Sequence, residues 1–265
     1  MKRYSPVWHW ILCVACCLCT LRAEEAESIV QKMVDKDRSL ISGRKHLFCR
    51  IEETVEELDE DGKLVDKKTS ARITHDEPVQ DYAGDNSHRL SNGKIEVSKE
   101  EPFSILTIMP RFNLELLPEE EVDGHLCHKI HFVPKGGQPY EGRQEKVANE
   151  LEGFLWIDKK DFSLIKNTGR LTKPVDVAWF LVRVKEIDFA FSSALLPNGE
   201  PGPKRIQYRF MVDVPPFWVF HEIHTRDYLF ATDVAQFPDP SESILSESSG
   251  QVNVKNPAPV SLRRP

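Results

Sequence analysis

LEGFLWIDKKDFSLIKNTGR, residues Leu151 to Arg170, reads as a strand, a tight turn and a second strand. Phe154, Leu155, Trp156 and Ile157 are apolar at four consecutive positions. A strand with one wet face alternates, so this one is covered on both faces. Asp158-Lys159-Lys160-Asp161 interrupts it with turn formers. Ser163 to Lys166 returns with Leu164 and Ile165, and the chain reverses antiparallel. None of these residues suits a reaction. The stretch is the centre of a sheet and points to an apolar interior.

The chain on either side repeats the pattern. Downstream, Ile187, Phe189 and Phe191 mark one strand face. Arg205 to Val214 is the cleanest alternation, with Ile206, Tyr208, Phe210, Val212 and Val214 opposed to Arg205, Gln207, Arg209 and Asp213. Pro197 to Gly202 is a turn, Pro215-Pro216 ends the next strand, and Val219 to Thr225 pairs back. Val175 to Val184 is apolar, with Trp179 and Phe180. Upstream, Leu47, Cys49, Ile51 and Val55 alternate with charged residues, Asp59 to Gly62 turns the chain, and Leu64 to Thr74 returns as a polar edge. Phe112 to Leu117 and Leu126 to Val133 form a hairpin around Glu119 to Gly124, whose glutamates read as a solvated tip. Asp76 to Lys99 reads as loops and short strands, Pro134 to Asn149 as a loop, and Pro102 to Pro110 as a short helix or a buried strand.

Before all these strands stands one helix, Glu24 to Leu40. Ala26, Ile29, Val30, Met33, Val34 and Leu40 fall on one stripe at helical spacing. Glu24, Glu25 and Glu27 occupy its first turns, where the helix dipole favours acids. Its polar face is acidic at the start, so packing on the sheet suits it better than a membrane surface.

Residues 1–23 carry Lys2 and Arg3, an apolar run from Val7 to Leu21 and a small residue at Ala23, the order of a secretory signal peptide. The run is short for a membrane span. Val14-Ala15-Cys16 can also be read as a lipoprotein signal, which the short run and the atypical Cys13 argue against. Residues 24–237 then form one domain. Residues 238–265 are rich in Ser and Pro, poor in apolar residues, and read as a disordered tail.

The formal charge is −7, and removing Lys2, Arg3 and Arg22 from a leader without acids leaves −10. No Lys/Arg-dense face is offered, which excludes nucleic acid as a partner. Four of six cysteines fall in the leader. Cys49 and Cys127 remain, as a disulfide or as two buried free thiols. The chain holds no Asn-x-Ser/Thr sequon, which favours a bacterial periplasm over a glycosylating route.

The polar constellations are weak. His125, Cys127 and His131 share a strand face, but the outer pair is about 20 Å apart at ~3.3 Å per residue, too far for one metal ion. His221 and His224 point to opposite faces. No nucleophile signature and no phosphate loop occurs, so no catalytic residue and no cofactor is expected.

The helix from Glu27 to Leu40, the hairpin Val122-Asp123-Gly124 leading into Cys127 to Pro134, and above all Gly153-Phe154-Leu155-Trp156-Ile157-Asp158 carry a resemblance. Their order and phrasing are similar to bacterial outer-membrane lipoprotein-sorting proteins, the LolA/LolB-like and RseB-like families, over Glu24 to Asp233. The resemblance implies a mainly β fold, an incomplete antiparallel barrel whose curved sheet is covered on its apolar concave face by the N-terminal helix and a short helical lid. It implies a monomeric periplasmic carrier, not an enzyme, that shields acyl chains of lipid or lipoprotein. The alternative is a sensor module that recognises an envelope protein partner. Phe154 and Trp156, with Phe189, Phe191, Tyr208 and Phe210, are the expected cavity lining.

Overall fold

The computed structural model describes residues 24–40, 44, 46–75, 108–177, 182–214 and 218–237. Residues 24–40 are helical (α1). The strands are β1 (Phe48–Leu58), β2 (Leu64–His75), β3 (Phe112–Val122), β4 (His125–Pro134), β5 (Leu151–Asp158), β6 (Leu164–Leu171), β7 (Val175–Asp176), β8 (Arg183–Leu195), β9 (Pro201–Val214) and β10 (Trp218–Ala231). A short helix, α2 (Arg143–Ala148), precedes β5.

All ten strands belong to one antiparallel sheet in the order β2-β1-β10-β9-β8-β6-β5-β4-β3, with β7 beside β8. Most chain neighbours pair, but β2 and β3 form the two edges, β6 pairs with β8, and β10 returns to lie against β1. The path ends at β2 on one side and β3 on the other, so the curved sheet is an incomplete barrel. Bulges bend it at Leu117/Glu120, Trp156/Ile157, Val184/Glu186 and Ser192/Ser193.

The helix stripe does what its spacing requires. Ala26, Ile29, Val30, Met33 and Val34 are buried in one cluster with Phe112, Leu114, Ile130, Phe132, Leu155, Ile157, Phe191 and Ile206. These strand residues share one face by register, so α1 lies across the inner, concave face. The β5–β6 turn grips the helix from below. Phe162 adopts a left-handed backbone (φ +62°), costly for a bulky residue. That backbone sets its ring against His128, and Lys32 lies over the ring at 4.8 Å. Lys36 reaches Asp161 at 4.0 Å.

Several local expectations change. The three glutamates 119–121 lie within β3, and only Asp123-Gly124 turns the chain. Pro118 is tolerated because β3 is an edge strand with a bulge there. The Pro134–Asn149 loop contains α2. From the apolar stretch Val175 to Val184, only Val175–Asp176 and the start of β8 are strand among the described residues. The leader, the tail, residues 76–107 and with them most of the Pro102–Pro110 stretch lie outside the described residues, and its end forms a single 3-10 turn at Met109–Arg111.

Candidate functional site: the inner face and its polar margin

Cross-strand register resolves the inner face into rows. One row runs His224, Tyr208, Phe189, Gly169, Gly153, Phe132 across β10, β9, β8, β6, β5 and β4. The two glycines stand opposite each other at its middle. A Cβ on Gly169 would lie 2.2 Å from the Phe189 ring. A Cβ on Gly153 would lie 2.0 Å from the Thr168 carbonyl oxygen and 2.7 Å from the Phe132 ring. The glycines therefore make a notch into which two phenyl rings lie flat, and the notch keeps the concave floor low.

The row beside it runs Arg226, Ile206, Phe191, Asn167, Leu155, Ile130. Phe191, Ile206, Leu155 and Ile130 are buried under α1. Asn167 is the exception in this floor, and its Oδ1 is buried with no hydrogen-bond partner. On the third row Phe210 stands opposite Ile187 and Glu222. Ile187, Phe189 and Tyr208 pack against the edge of the buried cluster and, like Phe210, are half-buried.

Four of the six expected lining residues, Phe189, Phe191, Tyr208 and Phe210, thus come together on the inner face. Phe154 and Trp156 do not. The period of two that puts them together also puts Leu155 and Ile157 on the other face, and α1 covers the latter pair. Trp156 packs on the outer face with Cys127 and Ile165 in a separate small cluster, with Phe154 against it. Lys129 and Lys166, its cross-strand neighbours, lie over its ring at 5.3 and 5.0 Å. His131 stacks on Phe154 at 4.6 Å. The consecutive apolar run correctly signals two covered faces, but the outer one is covered by lysine stems rather than by a helix.

The cysteines are likewise divided. Cys49 belongs to the inner core and Cys127 to the outer cluster, and both are buried free thiols. The disulfide alternative fails because β1 and β4 lie far apart in the strand order and the two side chains occupy opposite faces. Burial pushes the Cys127 thiol up to about 11, with the Asp158 carboxylate adding to the effect.

Asp158 is a turn residue with an added role. Its Oδ1 accepts the backbone N–H of Lys160 at 2.6 Å, and its Oδ2 meets His125 Nδ1 at 2.6 Å. Burial pushes its carboxyl up, but these hydrogen bonds outweigh burial and hold it below the usual carboxylate range. Several strands away, His221 is buried under the β1–β2 turn, where its Nδ1 donates to the Asp59 carbonyl at 3.2 Å.

A polar margin borders the aromatic floor, and sequence reasoning missed it. Glu222, His224 and Arg226 alternate along β10 on the inner face. His224 Nε2 meets Glu222 at 2.7 Å, and Arg226 Nε donates to Glu53 at 2.9 Å. The Phe210 ring lies 5.2 Å from that of His224. The signal was present: Glu222, His224, Arg226, Tyr228 and Phe230 hold one parity, the first three polar and the last two aromatic. Among the described residues, no cluster of His, Cys, Asp and Glu has the geometry of a metal site. No described helix is long and apolar enough to cross a membrane.

No protein-family model matches the chain, and no curated protein matches its sequence. Solved structures do resemble it. A DUF1329 family protein from Desulfovibrio piger is 14% identical over 85% of this chain and 99% of its own, with a TM-score of 0.33. A domain described as outer membrane lipoprotein-sorting, from Vibrio parahaemolyticus, is 9% identical over 85% of this chain and 98% of its own, with a TM-score of 0.36. In the MucA/MucB complex of Pseudomonas aeruginosa, the matching chain is 9% identical over 77% of this chain and 94% of its own, with a TM-score of 0.29.

Proposed function

We propose that this protein is an exported, non-enzymatic binding protein of the bacterial periplasm that shields acyl chains on its concave face, beneath and beside α1. One observation carries the reading. The apolar floor does not stop at the footprint of the helix but continues through Ile187, Phe189, Tyr208 and Phe210, which are only half-buried. A concave, mostly apolar surface with a few polar groups at its margin is the form of a ligand site.

Magnitudes support an exchange between helix and ligand. Ile29, Val30, Met33 and Val34 are each worth about 1.5–3 kcal/mol when buried, so the grip of α1 on the floor is on the order of 6–12 kcal/mol. A sixteen-carbon chain contributes about 0.8 kcal/mol per buried CH₂, roughly 11 kcal/mol in all. An acyl chain can therefore take the place of part of the helix contact at little net cost. The polar ties of α1 include Lys36 to Asp161, Lys32 over Phe162, and Asp37 to Arg44 at 3.6 Å, whose guanidinium donates to the Pro201 carbonyl at 3.0 Å.

The test is an organic extract of protein isolated from the cell envelope, analysed by mass spectrometry, together with titration of a fluorescent acyl probe. Co-purified lipid and saturable probe binding are expected. An extract free of lipid, combined with no probe binding, overturns the reading.

A second reading, an interaction module for an envelope protein, has one observation in its favour. β2 is a sheet edge twelve residues long, paired on one side by β1 and exposed at all but one position. Such an edge can accept an added strand. Capture of an envelope protein that is lost when Ser70 is replaced by Pro, with lipid extraction negative, would favour it.

A further inference from the structure

We propose that the inner face selects amphiphiles with a zwitterionic head group, an ammonium beside a phosphate, whose chain lies on the Phe189–Tyr208–Phe210 floor and whose head lies over β10 and β1. The inference rests on the acyl-binding reading and adds the class of ligand and its orientation.

The inner face changes character abruptly at β9. On one side stand the rings of Phe189, Tyr208 and Phe210. On the other stand the hydrogen-bonded pair Glu222 and His224 and the ion pair Arg226 and Glu53. Register places them edge to edge: Tyr208 is opposite His224, Phe210 opposite Glu222, and Glu53 opposite Arg226. All four polar side chains are partly buried, at 14% and 23% exposure for His224 and Glu222, and 17% and 32% for Arg226 and Glu53. Register puts all four on the concave side of the sheet, beside the rings of Tyr208 and Phe210.

The charge balance chooses the head group. On β10 and β1 the carboxylates of Glu222 and Glu53 face the Arg226 guanidinium and the His224 imidazole, and toward the β2 edge Glu57 and Asp66 share the face with Lys68 and Arg72, so the margin is at most neutral. A bare carboxylate head gains nothing net from such a strip, since the repulsion of Glu53 and Glu222 offsets the attraction of Arg226. A neutral glycerol head offers no charge to either pair. An ammonium–phosphate head can use both signs at once, phosphate toward Arg226 and His224, ammonium toward Glu222 or Glu53. The spacing suits it, because adjacent strands lie about 4.8 Å apart and alternate residues of one strand about 6.7 Å apart. Arginine favours phosphate in particular, through its planar fork of donors.

The experiment holds the chain constant and varies the head. Four single-chain amphiphiles with sixteen-carbon chains compete against a bound fluorescent acyl probe: a lysophosphatidylethanolamine, palmitate, a monoacylglycerol and an alkylammonium. The expected result is that the zwitterion competes at least tenfold more strongly than the other three. In Arg226→Gln and in Glu222→Gln that preference falls to within about threefold, while the probe itself still binds. Thermal melts confirm that each variant is folded, and the wild-type series stands even if a variant is not. Equal competition by all four heads overturns the head-group inference and leaves the acyl-binding reading intact. Stronger competition by palmitate or the alkylammonium also overturns it. Failure of the probe to bind at all overturns both.

Discussion

Replacing Gly153 with Ala tests whether the floor of the concave face is built as described. The new methyl would stand 2.0 Å from the Thr168 carbonyl oxygen, 2.6 Å from the Gly169 Cα and 2.7 Å from the Phe132 ring. Two of these three are backbone atoms of the neighbouring strand, and a backbone cannot step aside without breaking the β5–β6 pairing. Overpacking a well-filled site costs about 1–3 kcal/mol, with the upper end appropriate where backbone must move. Against this, an alanine restricts the unfolded chain and returns about 0.4–1 kcal/mol. The net expectation is a loss of about 2–3 kcal/mol, which for a domain of this size lowers the melting temperature by roughly 4–12 °C. Gly169→Ala is the control. Its methyl would first meet the Phe189 ring, at 2.2 Å. That ring is half-buried and can swing outward, so the loss should be under about 1 kcal/mol once the same entropy gain is counted. The displaced ring would then rise into the concave space and weaken acyl binding. The assay is thermal denaturation of both variants beside the wild type, followed by probe titration. Equal melting temperatures for Gly153→Ala and wild type would refute the notch, as would a Gly169→Ala variant that melts lower than Gly153→Ala.

Other expectations follow from single contacts. Trp156→Ala should cost about 3 kcal/mol of stability yet leave acyl binding of the folded protein unchanged, because the ring is on the outer face; a selective loss of binding would return Trp156 to the cavity. Asn167→Leu removes a buried acceptor that has no partner and should raise stability by about 1 kcal/mol, read as a higher melting temperature. Asp158 has a folded-state pKa below its unfolded value, so its contribution is complete above about pH 4 and is lost as the pH falls through the folded pKa. Asp158→Asn should therefore be less stable at pH 7 and lose less on acidification to pH 3, and parallel melting curves for the two proteins would show the hydrogen bonds to be inconsequential. Cys127, with its thiol at about 11, and buried Cys49 should resist a thiol reagent at pH 8 in the native protein, and a chain beginning at Glu24 should release two thiols on denaturation without reductant.

Much of the fold is legible in the sequence because its signals are local. Two-residue periodicity marked β1 and β9, the Asp59 to Gly62 turn set the first hairpin, and the Ala26 to Leu40 stripe announced a helix that must cover something apolar. The errors arise where one local pattern has two physical realisations. The run Phe154 to Ile157 specifies that both faces of β5 are covered but not what covers each. The structure puts α1 over Leu155 and Ile157 and lysine stems over Trp156, and chain order alone does not distinguish these. The short α2 was missed because Gly136, Gly137 and Pro139 dominate that stretch, while Arg143 to Ala148 is too brief to show a helical period. The acids 119–121 read as a hairpin tip because charge and a preceding proline resemble a turn, yet an edge strand tolerates both.

The polar margin shows why a mixed strand face is harder to read than a core. Core positions of a strand repeat one chemistry at every second residue, whereas β10 carries Glu222, His224 and Arg226 at the parity that Tyr228 and Phe230 complete with aromatics. Read as a strand it breaks the rule of an apolar inner face, and the break falls where β10 leaves the cover of α1: Tyr228 is in the buried cluster, and Arg226 pairs with Glu53 just beyond it. Burying a guanidinium and carboxylates costs free energy unless they are paired, and each of these is. A filled core would be more stable with leucine at such positions. On the acyl-binding reading proposed above, these residues stand beside half-buried Tyr208 and Phe210, where the head of an amphiphile with charges of both signs would lie.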